Sequence, residues 1–127
     1  MMLPTASSVA SPNAPMIVPA TEARLILTTA PSHREAERIA RALVDDRLAA
    51  CVSILPDLTS VYRWKGDVES AAEILLLIKS TAGNLDRLEE ALRRLHSYEV
   101  PEFLVLTPES SSKPYLDWLI GEAGPPK

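Results

Sequence analysis

The sequence predicts an α+β sandwich in which two helices lie on one face of a four-stranded antiparallel sheet, followed by a short C-terminal helix. Two observations carry this reading. Four aliphatic segments and two amphipathic segments succeed one another in the order β-α-β-β-α-β. Each amphipathic segment has one apolar face, so each needs a single sheet surface to cover. A chain of 127 residues suits one domain.

The elements follow in order. Residues 1–21 are rich in Pro, Ala and Ser and carry no charge, the composition of a disordered tail. They contain no Lys or Arg, and no aliphatic patch in them is longer than three residues, as at Met16-Ile17-Val18, so a secretory signal is not expected. Met16 is a candidate alternative start of translation. Arg24–Ala30 (RLILTTA) is short and aliphatic, hence a strand. Ser32 and Glu35 have the spacing of a capping box, each expected to satisfy the other's backbone N–H. Ala36, Ile39, Ala40, Leu43, Val44 and Leu48 follow at helical spacing.

Cys51–Leu55 and Thr59–Trp64 read as one strand interrupted at Pro56, where the ladder loses a donor. Lys65-Gly66-Asp67 is the expected turn, and Ala72–Ser80 the return strand. Asn84 is placed to cap a second helix with Leu85, Leu88, Ala91, Leu92 and Leu95 on its face. His96–Glu102 is expected to be extended because Pro101 disfavours helix before it. Phe103–Leu106 gives the fourth strand and Pro114–Ile120 the last helix. This order is the ferredoxin-like βαββαβ motif. The expected organisation is a tail over 1–21, the domain over 22–121 and a loose end over 122–127.

Composition narrows the function. The net charge is 13 − 17 = −4, which argues against binding a phosphate backbone, so no nucleic acid is expected. No run approaches the roughly 18 apolar residues of a membrane span, so no membrane is expected either. A single cysteine, Cys51, excludes an internal disulfide and fits a reducing, cytoplasmic setting. One feature goes further. Ile74-Leu75-Leu76-Leu77-Ile78 is apolar at five successive positions, and Leu25-Ile26-Leu27 at three. Both faces of those strands need cover, which a monomer supplies on one side only, so self-association is expected.

Six segments resemble the CutA divalent-cation tolerance family: LTTAP (Leu27–Pro31), LAACVSILP (Leu48–Pro56), SVYRWKG (Ser60–Gly66), EILLLIKST (Glu73–Thr81), HSYEVPE (His96–Glu102) and YLDWL (Tyr115–Leu119). The resemblance runs from residue 24 to about 121 without a break. It implies a homotrimer similar in plan to the PII signalling proteins, with a role in tolerance of divalent metals, copper above all. It implies no enzyme and no organic cofactor; the protein partner is left open.

His96, Glu99 and Glu102 are donors suited to Cu(II) or another divalent cation. In an extended segment His96 and Glu102, six apart, share a face while Glu99 points away. On the residues alone the segment reads equally as a solvated loop; with the resemblance, His96 and Glu102 are the expected metal ligands. Some copper-binding relatives carry a cysteine in the first-strand motif, where this chain has Thr28 or Thr29. Ser97 stands where the family commonly has proline, which is expected to loosen the loop. Tyr62, Trp64 and Lys79 form a second constellation: the resemblance implies inter-subunit clefts lined by such residues, where a small anionic ligand could be held, while the residues themselves equally suit packing within the trimer. It supports an alternative function, a PII-like signalling scaffold that acts on a partner protein. Cys51 is expected to be structural, since no orienting partner marks it as a nucleophile beside His96. Acylphosphatase chemistry lacks its phosphate-cradling Arg loop, and RNA binding lacks aromatics at Leu25, Leu27, Leu75 and Leu77.

Overall fold

The computed structural model describes residues 16–124. The chain enters through a short strand, Ile17–Pro19 (β1), then runs Ala23–Ala30 (β2), His33–Asp45 (α1), Cys51–Trp64 (β3) and Asp67–Thr81 (β4). A single 3₁₀ turn at Ala82–Asn84 leads into Leu85–Leu95 (α2), followed by Leu104–Leu106 (β5), Ser110–Ser112 (β6) and Lys113–Glu122 (α3). Four strands form one sheet in the order β3-β4-β2-β5, with every pairing antiparallel. This is the expected mixed α+β architecture.

The core fills the space between α1, α2 and one sheet face. Ile39 and Leu43 of α1, Leu88 and Leu92 of α2, and Ile26, Leu76 and Ile78 of the sheet are all buried. Period-two alternation on β2 and β4 sends Ile26, Leu76 and Ile78 inward and Leu25, Leu27, Leu75 and Leu77 to the opposite face. Cross-strand register continues that outer apolar surface onto β5, where Leu27 faces Leu104 and Leu25 faces Leu106. Leu104 and Leu106 remain 54% and 43% exposed, so among the described residues no helix covers this part of the sheet. A second cluster lies at one end of the molecule, where Leu116 and Leu119 of α3 pack with Ala20, Ala23 and Ala50.

Four local details differ from the sequence reading. Residues 16–21, assigned there to the disordered tail, are ordered: Ile17–Pro19 pairs with Ser110–Ser112, and Ala20 is buried. The remainder of that expected tail, residues 1–15, lies outside the described residues, as do residues 125–127 of the C-terminal end. At that end Glu122 closes α3 and Ala123 is buried. Ser32 Oγ accepts from the Glu35 N–H at 3.1 Å, but the Glu35 carboxylate does not return to Ser32, because it is held by Ser97. Asn84 does not cap α2 with its side chain. Its backbone is already helical, so the amide points away and donates to the Ala123 carbonyl instead.

β3 and β4 form one long hairpin. The register shifts between Leu55 and Leu58, at the expected interruption around Pro56, and Asp57 there adopts φ 64°. Beyond it Leu58 to Trp64 pair in step with Glu73 to Asp67. The two-residue turn has φ 51° at Lys65 and φ 89° at Gly66, the left-handed pair that matches strand twist in a tight hairpin.

Candidate functional site

The hairpin builds one wall of a cleft. Antiparallel partners point to the same side, so Ser60, Tyr62 and Trp64 of β3 share a face with Ala71, Glu69 and Asp67 of β4. Glu73, opposite Leu58, is on that face too. The small pair Ser60 and Ala71 leaves a hollow between the larger residues on either side. The second wall is the chain from Tyr98 to Glu102, and between the walls lies a cleft of about 690 Å3 at one end of the uncovered sheet face.

A hydrogen-bonded chain fixes the second wall. The His96 side chain is fully buried. Its Nε2 lies 2.7 Å from the Thr29 carbonyl oxygen, which can only accept, so Nε2 carries the proton. Its Nδ1 accepts from the Tyr98 N–H at 3.0 Å. Both ring nitrogens are therefore occupied by backbone partners. Glu35 accepts from the Ser97 N–H at 3.0 Å and from its hydroxyl at 2.9 Å. Partial burial pushes the Glu35 carboxyl up, but the two Ser97 hydrogen bonds, together with the nearby His96 and Arg38, outweigh it and hold the group below its ordinary value. Tyr98 donates its phenol proton to Glu73 Oε2 at 2.7 Å. Burial first, and the Glu73 carboxylate second, push the Tyr98 phenol well above its ordinary value, so it stays a neutral donor.

These contacts settle where the expected site residues stand. The segment 97–100 bends rather than running extended, so strand alternation does not apply, and Glu99 lines the cleft together with Glu102. Glu99 was expected to point away. Ser97 tethers the segment through an N–H that a proline would lack, the opposite of the expected loosening. Thr28 is buried on the core side and Thr29 lines the cleft. Among the described residues no group of three or more His, Cys, Asp and Glu side chains is arranged to hold a metal ion.

Tyr62 and Trp64 both line the cleft, but Lys79 does not. Tyr62 pairs with Glu69, ten residues before Lys79 on β4. That places Lys79 on the same sheet face but roughly 33 Å along the strand. There its Nζ donates to Ser53 Oγ at 2.5 Å and lies 3.8 Å from Cys51 Sγ. Within one protomer the lining is acidic: Glu69, Glu73, Glu99 and Glu102 face the cleft, and among the described residues no Lys or Arg does. Among the described residues none of these four carboxylates has a basic partner within ion-pair distance. Sequence reasoning missed Glu69, Glu73 and Tyr98. The even spacing of Glu69 and Glu73 was a usable signal, but only the register of the hairpin shows that they join Tyr62.

A family model described as CutA1 divalent ion tolerance protein matches residues 24–122. The divalent-cation tolerance protein CutA of Thermus thermophilus is 47% identical over 100 residues, covering 79% of this chain and 97% of the relative. The human protein CutA is 40% identical over 116 residues, covering 91% of this chain but only 64% of the human one. The solved structure of CutA from Synechococcus elongatus superposes with a TM-score of 0.81 at 42% identity, covering 85% of this chain and 96% of that one. Among the described residues no helix is long and apolar enough to cross a membrane.

Proposed function

The chain belongs to the CutA1 divalent ion tolerance family, and on that premise we propose that it is a non-catalytic, cytoplasmic binder of divalent cations that acts as a homotrimer. The observation that carries the binding role is the pair Glu99 and Glu102 on the Tyr98–Glu102 wall, both facing the cleft without a basic partner. Carboxylates of this kind suit a divalent cation with oxygen preference and accept Cu(II) as well. Glu102 is the proposed direct ligand. His96 acts behind it, since its ring holds the wall in place through Thr29 and Tyr98; it reaches a metal only by giving up one of those hydrogen bonds. Tolerance then follows from sequestering the ion, with no bond made or broken.

Assembly is supported by the apolar outer face of β2, β4 and β5, which no element among the described residues covers. Cytoplasmic residence is supported by the single cysteine, which excludes an internal disulfide. Isothermal titration with Cu(II) and Zn(II) tests the site. Glu102→Gln is expected to weaken binding by roughly tenfold, about the effect of losing one charged ligand. Unchanged affinity in that variant removes the Tyr98–Glu102 wall from the metal site.

A further inference from the structure

We propose that the C-terminal segment, β6 with α3, is a strap that opens as a unit apart from the core, and that Arg47 is the latch that holds it shut.

The strap is fastened separately from the core. Leu116, Leu119 and Ala123 pack on Ala20, Ala23 and Ala50, and among the described residues none of these belongs to the cluster under α1 and α2. Alanine partners give the two leucines little apolar surface to bury against, so this contact alone holds α3 weakly. β6 adds a ladder of three residues, paired with a strand that is itself only three residues long. Short elements with few buried contacts are the ones that open first. Opening bares Ala23, which shares the outer sheet face with Leu25 and Leu27.

The end of α3 is where that weakness is offset. A helix leaves its last carbonyls without intrahelical donors. Here the last turn has no basic residue of its own, and Gly124 beyond it does not take the left-handed conformation of a glycine cap. Arg47 supplies the donors instead. Its Nε donates to the Gly124 carbonyl at 2.5 Å and its Nη2 to the Gly121 carbonyl at 2.7 Å. The buried Asn84 amide donates to the Ala123 carbonyl between them. Nη1 lies 3.7 Å from the Glu122 carboxylate, and the guanidinium charge itself favours a helix C-terminus.

Arg47 also stands where a side chain is costly. It follows α1 in a Schellman turn, its N–H donating to the Val44 carbonyl at 3.0 Å and the Leu48 N–H to the Leu43 carbonyl at 2.9 Å. The turn holds Arg47 at φ 58°, a conformation that glycine adopts freely and other residues do not. Glycine would serve the turn better; what the arginine adds is its fork on the end of α3.

The test is hydrogen exchange, read by mass spectrometry on peptides of the full chain, in wild type and in Arg47→Gly. Glycine suits the turn and deletes only the latch. Exchange across residues 113–124 is expected to rise at least roughly tenfold, the effect of losing hydrogen bonds from a charged donor. Peptides carrying residues 39–43 and 76–78 of the core are expected to keep their wild-type rates. Arg47→Lys, which keeps the charge but not the fork, is expected to fall between the two. Equal protection of residues 113–124 in wild type and Arg47→Gly overturns the latch. Acceleration of the core by the same factor overturns the separate strap. So does failure of Arg47→Gly to fold, because strap and core would then be one cooperative unit.

Discussion

Glu35 shows how one side chain links distant parts of this chain. Its position three residues after Ser32 marks a helix start, and its backbone N–H does bond the Ser32 hydroxyl. Its carboxylate instead crosses to Ser97, 62 positions away in sequence, and anchors the wall of the cleft. The carboxyl is held below its ordinary value near 4.5, so its contribution is full above that value and fades as pH falls through the lower, folded-state value. Glu35→Gln is therefore expected to cost about 1 kcal/mol at pH 7. Urea unfolding at several pH values should show that difference shrinking toward zero below pH 4.5. A difference that persists unchanged in acid would mean the hydrogen bonds do not depend on the charge. His96 carries the complementary lesson: its residue type announces a metal ligand, while its buried backbone partners use both nitrogens.

Among the elements, the β3–β4 hairpin was the most legible and the short strands the least. Pro56 marked the irregularity and Lys65-Gly66 the turn, because each residue restricts backbone dihedrals by itself. Gly66 sits at φ 89° with nothing within 4 Å of where a Cβ would stand, so the objection to a side chain there is conformational rather than steric. Gly66→Ala is expected to destabilise the fold by about 1 kcal/mol. The measurement is the urea midpoint, together with tryptophan fluorescence, since Trp64 borders the turn. An unchanged midpoint would show that the hairpin tip contributes nothing to global stability. Ile17–Pro19 and Ser110–Ser112 had no such markers. Three residues are too few for a period, and a run of serines has no apolar face. Their pairing depends on α3 bringing them together.

For the molecule as a whole, the decisive feature is the outer sheet face. Leu25, Leu27, Leu75 and Leu77, extended by exposed Leu104 and Leu106, form a surface that isolated protomers would leave wet. In the proposed trimer this face is covered by other copies. Leu77→Glu places a charge at its centre and is expected to reduce the mass measured by light scattering to that of one 13.9 kDa chain. A wild-type protein already at that mass would end the proposal of assembly. The order of elements, the inward faces of the helices and the two-sided strands could all be read from the sequence, because each follows from periodicity over neighbouring residues. So could the family, from six motifs spread along the chain. The cleft could not. Its membership depends on hairpin register, on the bend at residues 97–100 and on hydrogen bonds between residues 25 to 67 positions apart. Strand alternation kept Glu99 out of it and the bend brought it in, because tertiary contacts alone decide which side chains meet; Lys79, included through the family's inter-subunit clefts, stands away from Tyr62 within one protomer.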